Sequence, residues 1–178
     1  MLSAKCQLLR ADCYSARQIV KGDPKVIAVL NQVLKAELTA INQYFLHAEM
    51  CENWGYHKLA KHTRGESIEE MTHAEKLMER ILLLDGAPNV SDYFKINIGS
   101  NVKAQIQNDL QVEYDAVKRL NDGIETCVKA GDNGSRDLLE EILVDEEEHI
   151  DYLEAQLHAI SEMGIENYLA QHLDEKKE

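Results

Sequence analysis

Glutamate and histidine stand three residues apart twice in this chain, as Glu70/His73 and Glu146/His149, and no other Glu-x-x-His occurs. On a helix that spacing puts both side chains on one face. One such pair means little, because both residues are ordinary on helix surfaces. Here the pair is part of a longer register. Glu37 precedes Glu70 by 33 residues, and Glu113 precedes Glu146 by 33. Glu37 to Glu113, Glu70 to Glu146 and His73 to His149 are each 76 residues. Four carboxylates and two imidazoles in such a repeat point to a shared metal site.

The apolar pattern places these groups inward. One stripe reads Leu30, Leu34, Glu37, Ile41, Tyr44, and another reads Ile106, Leu110, Glu113, Val117, Leu120. Each carries a glutamate where a leucine belongs. Glu70 and His73 lead into Leu77 and Leu84, and Ile142, Glu146, His149 and Leu153 form a similar row. A buried carboxylate must be protonated, paired or metal-bound, because an isolated buried charge is too costly. Two divalent ions would neutralise four glutamates and make a dry core tolerable. Oxygen and imidazole donors suit iron or manganese. Glu69 and Asp145, four residues before His73 and His149, preserve the same repeat and offer an alternative register. Glu70 and Glu146 are taken as the ligands. Glu66 falls near the inner stripe, either as a transient iron site or as an exposed acid.

Five helices position these residues. Asp23-Pro24 opens the first, with an N-cap acid and proline at the first helical position, and it stops near Gly55. The second runs from about Tyr56 to Leu84 and ends at the "DGAP" stop signal. The third starts near Asn101 and ends at Gly131. Its stripe continues through Ile124 and Val128. The fourth spans about Ser135 to Met163, capped by Gly164, and "IENYLAQHL" forms a short last helix. The main helices are roughly 42–45 Å long at 1.5 Å per residue. About 16 residues link the second to the third, enough to span roughly 50 Å when extended. Those two helices can therefore run parallel, in an all-α four-helix bundle with one long crossover and a short fifth C-terminal helix.

The rest of the chain narrows the function further. Its 178 residues, 44% of them hydrophobic and only two of them proline, fit one helix-rich domain. A formal net charge of −13 argues against a nucleic-acid partner, and no apolar run reaches the 18 residues of a membrane span. Cys6, Cys13, Cys51 and Cys127 lack any Cys-x-x-Cys spacing and read as reduced thiols of the cytoplasm. Residues 1–20 lack an apolar signal region, so a secretory signal is not expected. They are expected to be a disordered extension or not translated, with a targeting peptide less favoured. Residues 21–178 form the domain. Met71 points about 100° away from the Glu70 side. Packing against a neighbouring subunit is its plainer role, though a thioether can ligate haem iron. Tyr44 lies two turns from Glu37 and reads as a core aromatic. His47, His57, His62, His158 and His172 lack a partner pattern and read as surface residues.

The segments "KGDPKVIAVLNQVLKAELTAINQYFLHAEMCENWGY", "ESIEEMTHAEKLMERILLLDG", "SRDLLEEILVDEEEHIDYLEAQL" and "IENYLAQHL" closely resemble the bacterioferritin family. The resemblance covers roughly residues 21–173. It implies a ferritin-like fold, a shell of 24 subunits with a mineral-filled cavity, and a ferroxidase centre of two irons per subunit. That centre's ligands match Glu37, Glu70, His73, Glu113, Glu146 and His149. It implies haem b shared between two subunits through one Met from each, matched here by Met71. It also implies iron release by electrons from a small ferredoxin. Haem-free ferritins resemble the chain less well, since they lack the second Glu-x-x-His and this Met. Two departures stand out. Gly65 occupies a position where the family often has histidine, and Glu69 one where it often has aspartate, which puts the usual inner-surface iron site in doubt. Val20 stands where the family's initiator Met falls, so the start is expected to be assigned too far upstream.

Iron storage with O2 or H2O2 as oxidant is the function expected. Two other readings remain open. A peroxide-removing di-metal bundle is disfavoured by the lack of a rubredoxin-like Cys-x-x-Cys tail. A haem-binding structural subunit of a mixed shell, paired with a second ferritin subunit, is disfavoured by the intact six-residue ligand set.

Overall fold

The structure is a computed structural model describing residues 21–173. The expected extension, Val20 as the start, Cys6, Cys13 and residues 174–178 lie outside the described residues. Five helices carry the described chain: α1 (Pro24–Asn53), α2 (His57–Leu83), α3 (Val102–Ala130), α4 (Asn133–Met163) and α5 (Ile165–Ala170). α1 packs on α2 and α3 on α4, the pairs meet through α1–α3 and α2–α4, and α5 folds back on α4. This is the expected ferritin-like four-helix bundle. None of the described helices is long and apolar enough to cross a membrane.

Helix ends follow local chemistry. The Asp23 side chain accepts from Lys25 N, with Pro24 filling the position where an N–H would be orphaned. Asn101 accepts from Ala104 N to start α3. Gly131 ends α3 at φ 71°, a left-handed cap that glycine adopts without a Cβ penalty. α4 begins two residues before the expected Ser135, because Asp132 is its N-cap and accepts from Ser135 N. Arg80 of α2 donates to that same Asp132 and to Ser135 Oγ, tying the α3–α4 turn to the end of α2.

The crossover is held to α1 by a ladder of side chains. Asn89 N donates to Asn31 Oδ1, Phe94 N to Thr39 Oγ1, Asn97 N to Gln43 Oε1 and Gly99 N to His47 Nε2. As the crossover advances, its partners advance along α1. It therefore traverses the bundle and delivers α3 antiparallel to α1 and parallel to α2. An extended segment has no backbone partners of its own, and these side chains replace them.

This ladder corrects one expectation. His47 is not a surface residue: it is completely buried, with Nδ1 2.9 Å from Asp109 Oδ1, while Gln43 Nε2 donates to the same Asp109 oxygen. His62 is half-buried, its ring 3.8 Å from that of Tyr152, whereas His158 is exposed. Val128, counted in an apolar stripe, is exposed.

The core is divided. One apolar cluster, built on Leu30, Leu34, Leu77, Ile81, Leu120 and Ile142, fills one end. Another, with Leu59, Ile106, Leu153, Ile160 and Tyr168, fills the other. Between them lies a polar layer that includes all six expected ligands, each buried.

Candidate metal centre

Each of the four long helices contributes to this layer: Glu37 from α1, Glu70 and His73 from α2, Glu113 from α3, Glu146 and His149 from α4. The three-residue spacing works as expected. Glu70 Oε2 lies 3.2 Å from His73 Nδ1, and Glu146 Oε2 lies 3.2 Å from His149 Nδ1.

The two middle carboxylates span both histidines. Glu70 turns its other oxygen toward His149 Nδ1 at 3.5 Å, and Glu146 turns its other oxygen toward His73 Nδ1 at 3.7 Å. Glu37 approaches His73 at 3.7 Å, and Glu113 approaches His149 at 4.0 Å. The donors thus form two overlapping groups, each with its atoms within 4.8 Å of one another: Glu37, Glu70, His73, Glu146 and Glu70, Glu113, Glu146, His149. Each group has a terminal glutamate and a histidine of its own, and Glu70 and Glu146 belong to both. Two such groups sharing two carboxylates could hold metal ions side by side.

The far ring nitrogens are held from outside. His73 Nε2 lies 3.1 Å from Asp145 Oδ2, and His149 Nε2 lies 2.8 Å from Glu66 Oε2 and 3.7 Å from Glu69. A carboxylate on the outer nitrogen fixes the ring and leaves Nδ1 facing the cage. The acids of the alternative register therefore serve the opposite helix: Asp145 of α4 supports His73 of α2, and Glu69 of α2 approaches His149 of α4. Glu66 is neither free nor wholly exposed, because it holds His149.

The electrostatics are those of a cage prepared for cations. Burial, and then repulsion from Glu70, raises the Glu37 carboxyl well above the usual range. Burial and repulsion from Glu146 do the same to Glu113. Burial opposes charge on His73, but the neighbouring Glu37 and Glu70 carboxylates outweigh it and push its pKa to about 11. His149 is likewise raised against burial by Glu146, Glu66 and Glu70. Without metal, the cage holds protons in place of positive ions. Even so, the Oε1 atoms of Glu37, Glu70 and Glu113 are buried without a hydrogen-bond partner among the described residues. Such atoms are expensive to leave unsatisfied, and divalent ions would satisfy them. The residues present fit a pair of such ions.

Comparison with known proteins gives the same picture. The ferritin-like domain family matches residues 27–163. Bacterioferritin BfrA of Mycobacterium tuberculosis H37Rv is 52% identical over 152 residues, covering 85% of this chain and 96% of that protein. The bacterioferritin of Streptomyces coelicolor is 52% identical over 151 residues, covering 85% and 90%. That of Brucella melitensis is 48% identical over 149 residues, covering 84% and 92%. The chain belongs to the bacterioferritin family.

What this bacterioferritin-family chain conceals from sequence reasoning is the support around the cage. His47, Gln43 and Asp109 form a buried polar cluster one face away, with Cys51 Sγ against Gln105 Oε1 at 3.2 Å beside it. A signal was available: Gln43, His47 and Cys51 recur every four residues along α1. Polar residues at that spacing also describe a solvated face, so the pattern alone could not separate the two.

The cage predicts a proton cost for metal binding. Glu37, Glu113, His73 and His149 all have raised folded-state pKa values, so each is more protonated in the metal-free fold than in open chain. Metal must displace those protons, and affinity must fall as pH falls, by about tenfold per pH unit for each proton displaced. Titrating Fe(II) anaerobically in weakly buffered solution at pH 7 should acidify it. Binding without proton release, with a pH-independent affinity, would contradict this account of the cage.

Proposed function

We propose that the chain is an iron-storage protein with ferroxidase activity, and that its six inward residues form the ferroxidase centre. The observation that carries this reading is the pair of overlapping donor groups sharing Glu70 and Glu146. That layout holds two ions close together in an otherwise apolar core. Two Fe(II) ions bound there would supply the two electrons that, with two protons, reduce O2 to H2O2, or that reduce H2O2 to water. The Fe(III) formed would pass to mineral in the cavity of a 24-subunit shell.

The chain's own residues have distinct tasks on this reading. Glu37 and Glu113 would each hold one ion, and Glu70 and Glu146, within reach of both histidines, would help hold the two together. His73 and His149 offer Nδ1 while Asp145 and Glu66 fix their outer nitrogens. A cytoplasmic location belongs to the same reading, since reduced thiols such as the buried Cys51 and Cys127 persist there. Aerobic titration of the metal-free protein with Fe(II) tests the proposal. Fast oxidation should saturate at about two irons per chain, and slow oxidation without a breakpoint would refute it.

Haem b is the other expected cofactor. Met71 is 49% exposed on α2, with exposed Ile68 one turn before it. A thioether on an exposed apolar surface could hold the iron of a haem shared between two subunits, with one Met71 from each. Haem would supply the route by which an electron from a small ferredoxin reaches the mineral. A Met71→Leu protein should lose its haem absorption band. A protein retaining that band would place the ligand elsewhere.

A further inference from the structure

Two recesses on opposite sides of the bundle's polar layer carry opposite charge. On the α1–α3 side the crossover lays Phe94 across the groove, pinned by its backbone hydrogen bond to Thr39 Oγ1 at 2.9 Å. Lys35 of α1 and Arg119 of α3 both sit over the Phe94 ring, each 4.5 Å from its centroid. Beneath is a recess of about 190 Å³ whose walls include Ala36 and Val112, the sequence neighbours of the ligands Glu37 and Glu113. Lys95 also lines it, with Asp115 as its acid. Arg119 is half-buried, and the charge of Glu37 acts on it. A divalent ion approaching Glu37 from this recess would meet the Phe94 ring and the cations over it.

The α2–α4 side is the reverse. A recess of about 200 Å³ is walled by Glu66, Glu69, Asp145 and Glu148 around His149, with no Lys or Arg among the described residues lining it. His149 is the most accessible of the six ligands at 8%, against 2% or less for the others. The centre thus meets solvent on the acidic side and is shielded on the basic one.

We propose that Phe94, with Lys35 and Arg119, forms a cation-rejecting gate on the α1–α3 side of the centre, so that divalent metal loads through the α2–α4 recess and the gated side is left to the neutral oxidant. This rests on the reading of the six residues as a metal centre. The cation–π contacts hold the ring in place, and the charges that make them repel the metal. Phe94, Lys35 and Arg119 thereby set which reactant uses which approach. Acid-lined clefts raise local cation concentration and on-rates by roughly 10–1,000-fold, which gives the opposite face its advantage.

The experiment is stopped-flow loading of the metal-free protein with Co(II), whose visible bands report binding without an oxidant. Glu148→Lys should slow loading by up to about tenfold with the final amount bound unchanged. Adding Phe94→Ala and Arg119→Gln to that protein should restore most of the lost rate by opening the second approach. Should this triple variant bind less Co(II) than wild type, Arg119→Gln alone in the slowed background replaces it, with partial recovery expected. Loading at the wild-type rate after the lysine substitution, or no recovery on opening the gate, would overturn the gate while leaving the metal centre intact. Failure of wild-type protein to bind Co(II) would instead overturn the metal centre, and the gate with it.

Discussion

Glu113→Ala is expected to abolish the fast phase of Fe(II) oxidation, slowing it about a hundredfold or more. Changes to groups that merely orient a metal ligand cost about 10–100-fold, and Glu113 lies closer to the chemistry than those. It belongs to one donor group alone, with His149 beside it and the bridging Glu70 and Glu146 shared with the other. Its loss would leave one complete half-site and one deficient one, so on the proposed function two-electron reduction of the oxidant at a pair of irons should fail. The metal-free fold should not suffer. Glu113 is buried, carries an oxygen with no hydrogen-bond partner among the described residues, and lies against the charge of Glu146. Glu113→Gln keeps the volume and removes that repulsion, so its metal-free form should be as stable as wild type or about 1 kcal/mol more stable. Oxidation kinetics and thermal unfolding of the two variants check both halves. A surviving fast phase in Glu113→Ala would remove the ferroxidase centre from this site.

Gly99→Ala should destabilise the protein by about 3–5 kcal/mol, near the top of the range for a single substitution. A Cβ at Gly99 would lie against the backbone of α3's first turn, 2.6 Å from Ala104 C and from Gln105 Cα and nearer still to Gln105 N. Backbone cannot rotate aside as a side chain can, so the crossover would have to lift away. Gly99 N would then leave His47 Nε2, and His47, fully buried, would lose one of its two partners. The effect should reach the metal centre, since Asp109 pairs with His47 one helical turn before Glu113. Gly65→Ala provides the contrast. That glycine is inside α2 and a Cβ there meets nothing within 4 Å. Alanine should stabilise it by roughly 0.5–1 kcal/mol, because glycine costs that much in a helix. Urea or thermal unfolding of the two variants should move in opposite directions. A Gly99→Ala protein as stable as wild type would mean the crossover is not tightly docked.

The residues that support the cage separate what a linear pattern records from what packing adds. The repeat of 33 and 76 residues identified six side chains, and all six are buried in one layer. The helix ends were also legible, because Asp23-Pro24, Asn101 and Gly131 act through hydrogen bonds and backbone angles only a few residues away. Periodicity reports a face but not its environment. It could not tell the buried His47 from the exposed His158, since a polar residue reads the same whether it meets water or a neighbouring helix.

The sequence by itself therefore determined the helices, the crossover that makes two of them parallel, the six inward acids and histidines and the family. Only the tertiary structure decided that Glu70 and Glu146 face both histidines, that Asp145 supports His73 across the bundle, and that Phe94 lies beneath Lys35 and Arg119. The physical reason is range. Capping and amphipathicity are set within a turn or two, whereas a carboxylate with two oxygens can bridge, support or stay free, and its choice depends on donors brought near it from elsewhere in the chain.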